Sequence, residues 1–69
     1  MNEIMDIYLN GDRLQVVTDM NLEQLQQQFA ADQQVAIALN AEIMPRRCWA
    51  QRQLKPQDQV LMFNLVAGG

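Results

Sequence analysis

Gln59-Val60-Leu61-Met62-Phe63-Asn64-Leu65-Val66 is apolar on both of its faces. Successive side chains of a strand point to opposite sides. Val60, Met62 and Val66 therefore share one side, and Leu61, Phe63 and Leu65 share the other. Such a strand sits in the middle of its sheet, with material against both faces. It runs straight into Ala67-Gly68-Gly69, with no polar linker between. The chain has three glycines, and two of them are its last two residues. Glycine lacks a Cβ, so a diglycine end can thread a slot too narrow for side chains. It also leaves the terminal carboxylate open to attack. The plain alternative is a frayed terminus of no consequence.

Working backward, the chain opens on a hairpin. Ile7 and Leu9 alternate with Tyr8, Asn10-Gly11 supplies a type I′ turn, and Leu14 and Val16 alternate in a return strand over 13–18. A helix follows. Asn21 is a good N-cap, Gln24 stands where it can complete a capping box, and Met20 and Leu25 hold the staple positions. Leu22, Leu25 and Phe29 form the apolar stripe, beside a polar face of Gln26, Gln27 and Gln28. Phe29 is expected to anchor the core, so that Phe29→Ala would cost roughly 3–5 kcal/mol.

Val35, Ile37 and Leu39 are in phase for a third strand. Asn40-Ala41-Glu42 turns the chain, and Ile43-Met44 before Pro45 is extended. Pro45 can open a short helical turn carrying Cys48 and Trp49, and Leu54 to Asp58 reads as an edge piece and turn. Two strands, a helix, a strand, short pieces and a final strand make the order of a β-grasp domain. This is an α+β fold with a mixed sheet around one helix, the first and last strands being parallel neighbours. One helix covers one face only. The other face is then an exposed docking surface, or it lies under the Trp49 loop.

Composition narrows the function. Sixty-nine residues make one small domain, residues 1–65, with residues 66–69 as a flexible tail. A chain this short has little room for an enclosed active site. There is no His, and a single Cys excludes an internal disulfide or a multi-cysteine metal site. The acidic start is unlike a signal peptide, and no apolar run approaches the ~20 residues of a membrane span. A cytoplasmic protein without a membrane role is expected. The net charge of -3 argues against nucleic acid. Residues 1–45 hold seven acids and one base, whereas residues 46–69 hold four bases and one acid. The basic segment is a solvated loop or a docking surface for an acidic partner. Cys48 reads first as a small apolar packing residue, and second as a thiol activated by Arg46 and Arg47.

Asn10, Asn40 with Ile43, Pro45 and Arg46, Trp49-Ala50-Gln51, Leu54, Asp58 with Val60, and Gly68-Gly69 together carry a resemblance. Over essentially its whole length the chain is similar to the ThiS-type sulfur carriers of thiamine biosynthesis, which have the ubiquitin-like β-grasp fold. One departure is Gln57, where that family usually has Gly; it bears on the loop's conformation. The resemblance implies a protein co-substrate, not an enzyme. Gly69 would be adenylated by an E1-like adenylyltransferase using ATP and converted to a thiocarboxylate with sulfur from a donor protein. The sulfur would then pass to thiazole synthase. Val66, Ala67 and Gly68 would form the arm. Phe63, Leu61 and Tyr8 would meet the partner on the face away from the helix. The carrier itself would bind no cofactor or metal and would be a monomer when free. The alternatives are a molybdopterin-type sulfur carrier, a protein modifier joined through Gly69, and a binding module with an inert tail.

Overall fold

A computed structural model of the chain describes residues 3–65. Five strands form one mixed sheet: β1 (Ile4–Leu9), β2 (Asp12–Val17), β3 (Val35–Leu39), β4 (Glu42–Met44) and β5 (Gln59–Asn64). Their order is β2-β1-β5-β3-β4. β5 thus lies in the middle, parallel to β1 and antiparallel to β3. The β-grasp expectation holds, and so does the central place of the last strand.

The turns behave as their residues require. Asn10 and Gly11 both have positive φ, at 53° and 89°, which matches the type I′ hairpin between β1 and β2. Asn40 and Ala41 repeat that pattern between β3 and β4, at 51° and 72°. Ala41 takes this conformation in spite of its Cβ. Gln57 does the same at 71°, so the loop keeps a left-handed residue where ThiS-type carriers usually have Gly.

The helix α1 spans Leu22–Ala30 and starts as expected. The Asn21 side chain accepts from the Gln24 N–H at 2.8 Å, and the Asn21 N–H donates to Gln24 Oε1 at 3.0 Å. Its buried residues are Leu22, Leu25, Gln26 and Ala30. Two expectations are corrected here. Phe29 is not a core anchor, since 44% of it is exposed. The ring instead lines an open groove with Leu9, Met62 and Asn64. Gln26 belongs to the inside, not to the polar face. Its Nε2 donates to the Ala30 carbonyl at 2.8 Å and its Oε1 accepts from Gln27, so the amide is buried with both ends satisfied.

Pro45 precedes a 3-10 helix, Arg46–Gln51. Trp49 in that segment is buried against the core that also holds Leu22, Leu25, Leu54, Ile7, Ile37 and Val60. Its indole N–H donates to the Met44 carbonyl at 2.9 Å, and the Arg46 guanidinium lies 5.1 Å from its ring centroid. Among the described residues, no helix is long and apolar enough to cross a membrane.

Candidate functional site

Gly69 and its arm, Val66, Ala67 and Gly68, lie outside the described residues. The structure defines what leads into them. β5 is held on its β3 side by a ladder from Val60 to Asn64, flanked by Asn40 N–H donating to the Gln59 carbonyl at 2.7 Å and Leu65 N–H donating to the Gln34 carbonyl at 2.8 Å. On its β1 side, strand pairing covers only Gln59 and Val60.

Two asparagines extend this hold, both at positive φ in hairpin turns. Asn10 donates from Nδ2 to the Met62 carbonyl at 3.1 Å and accepts the Met62 N–H on Oδ1 at 2.8 Å. Asn40 accepts the Gln59 N–H on Oδ1 at 2.9 Å and donates from Nδ2 to Asp58 at 3.0 Å. The second oxygen of Asp58 accepts the Lys55 N–H at 2.8 Å, which closes the turn before β5. Asp58 is buried and fully engaged in these bonds. Sequence reading placed Asn10 and Asn40 in turns but did not give their side chains this work. No local pattern reports a bond between residues 52 positions apart.

The face of the sheet away from α1 is the second part of the site. Leu61 and Phe63 stand on it, 50% and 46% exposed, and Tyr8 shares their side of the sheet. Ala38 and Ala36 are their register partners on β3, and residues this small leave the larger side chains proud. Ile43 on β4 is paired with Ala38 and is itself 60% exposed. An apolar band thus runs Ile43, Ala38, Leu61 across three strands, with Phe63 one step nearer the tail. Ile43 was not among the residues expected on this face, because a three-residue strand has too little alternation to reveal its side. Trp49 lies with α1 on the opposite side, so its loop does not cover this band. The band is of the kind that marks a protein contact.

A groove of about 460 Å³ opens on the other side of β5, where Phe29 overhangs Leu9, Met62 and Asn64. Cys48 is a free, half-buried thiol in the 3-10 helix. Among the described residues no cluster of His, Cys, Asp and Glu could hold a metal ion.

The chain matches known proteins in sequence and in fold. Residues 7–69 match the ThiS family. The chain belongs to that family. It is 35% identical over 66 residues to the sulfur carrier protein ThiS of Escherichia coli K12, covering 94% of this chain and 100% of that one. It is also similar to the crystal structure of a thiamine biosynthesis protein (ThiS) from Geobacter metallireducens, with a TM-score of 0.80 and 25% identity. That match covers 94% of this chain and 100% of the other.

Proposed function

We propose that this member of the ThiS family carries sulfur for thiamine biosynthesis on the carboxylate of Gly69. The observation that carries the reading is the family match running to the diglycine end, joined to a central strand that delivers that end. A free carboxylate resists nucleophiles, because it is anionic and would have to expel oxide. In the proposed sequence a carboxylate oxygen attacks the α-phosphorus of ATP, and pyrophosphate leaves. The acyl carbon of the adenylate then takes sulfur from a persulfide of a donor protein, and AMP leaves. Reductive cleavage of the resulting acyl disulfide by a thiol frees the thiocarboxylate, which gives its sulfur to thiazole synthase.

The partner enzyme supplies the nucleotide site, so this chain acts as co-substrate rather than catalyst. We place the protein in the cytoplasm, as a monomer when free. Phe63, Leu61 and Tyr8, with Ile43 beside them, form the surface that meets the adenylyltransferase, and Val66, Ala67 and Gly68 form the arm that enters it. A stripe that is apolar but built on small neighbours suits an interface that must form and release.

Intact-mass measurement tests the reading. Incubation with the activating enzyme, ATP and a sulfur donor should replace one terminal oxygen by sulfur. An unchanged mass would sink the proposal, and covalent adducts on lysines of other proteins would identify a modifier instead. Sulfur delivered to molybdopterin synthesis, with none to thiazole, would move the chain to the rival pathway.

A further inference from the structure

β5 loses its backbone neighbour on the β1 side at Leu9, where the chain turns away. The Asn10 amide takes the vacated place. With its own N–H on the Val60 carbonyl at 2.8 Å and its side chain on both polar groups of Met62, it imitates one more strand residue. Its side chain thus reaches two residues further toward the tail than its own N–H does. The next backbone groups facing that side belong to Asn64, and they meet no partner among the described residues. Across the strand the last tie is Leu65 to Gln34, a bond between main chains. Asn10 therefore makes the side-chain bonds nearest the tail among the described residues.

We infer that Asn10 is a positioning residue for the C-terminal carboxylate, fixing the direction in which β5 leaves the body. This rests on the reading that Gly69 is adenylated. Without the Asn10 bonds, β5 is anchored on one side only from Met62 onward. The course on which it leaves the body then varies, and an in-line attack is sensitive to misplacement of that kind. The apolar band does not involve Asn10, so docking and aiming are separable.

The test uses Asn10→Gly, which keeps the positive φ of the turn and removes the amide. Steady-state pyrophosphate release by the activating enzyme is measured against carrier concentration. The expected result is a kcat lowered about tenfold with KM for the carrier changed less than about twofold. Amide exchange at Met62 should quicken while that of Ile7 and Ile37 stays slow. Asn10→Asp keeps the acceptor for the Met62 N–H and should fall between wild type and Asn10→Gly; it also serves as the test variant if the glycine variant does not fold. An unchanged kcat, or a raised KM with kcat intact, overturns the inference. If the wild-type chain releases no pyrophosphate, the adenylation reading fails and the positioning role goes with it. Normal wild-type turnover with an unimpaired Asn10→Gly removes only the positioning role.

Discussion

Ala41 and Gln57 hold φ of 72° and 71°, where a side chain crowds the following carbonyl. Glycine relieves that crowding but gives the unfolded chain more freedom. The first effect is the larger, so Ala41→Gly and Gln57→Gly should each stabilise the fold by about 0.5–1 kcal/mol. Urea unfolding with an unchanged m-value would show it, and a loss of stability would mean that these side chains hold contacts worth more than the strain. Phe29 is the opposite case. As a ring that overhangs a groove, it should cost only about 1–2 kcal/mol when cut to Ala, not the 3–5 kcal/mol of a buried aromatic. The same titration separates the two figures. Local spacing placed Phe29 on the right side of its helix. What spacing could not report was the open groove beside it.

At the scale of elements, the fold is organised by what grips β5. The first hairpin, the turn at Asn40, the N-cap and the third strand are legible because turn and cap residues act within a few positions of themselves. The grip itself is made of contacts between distant parts. Asp58 joins Asn40 to the turn at Lys55, and it is buried while doing so. Asp58→Ala would strand two donors and should cost about 2–3 kcal/mol. In a domain this small that is a large share of the whole stability. Asp58→Asn can keep one acceptor and should recover part of it. Thermal melts of both variants check this, and equal losses would argue that the carboxylate's two bonds do not act separately. Gln26 teaches the same point from the helix. A glutamine among glutamines looks like solvent-facing surface until its buried amide is found bonded to the Ala30 carbonyl.

For the whole molecule, the exposed band of Ile43, Leu61 and Phe63 is the feature that folding stability does not explain. Phe63→Asp should leave the protein folded, with a melting temperature close to that of the wild type. It should weaken binding to the activating enzyme by about 2 kcal/mol or more, roughly thirtyfold in Kd. Circular dichroism and calorimetric titration read the two effects independently. An unfolded Phe63→Asp would place that side chain in the core, and undiminished affinity would move the interface to another surface.

The amino-acid sequence alone determined the strand and helix order, the two asparagine turns, the capped helix and the central, doubly apolar last strand, because short-range sterics and periodicity act through neighbouring residues. It also determined the kinship with ThiS carriers. Only the tertiary structure decided which face of β5 stays bare, that Ile43 joins it, that Phe29 lies at a rim and Gln26 inside, and that Asn10 reaches Met62. Each of these depends on where one element stops relative to another across the sheet. That is a matter of packing distances, to which no single stretch of chain has access.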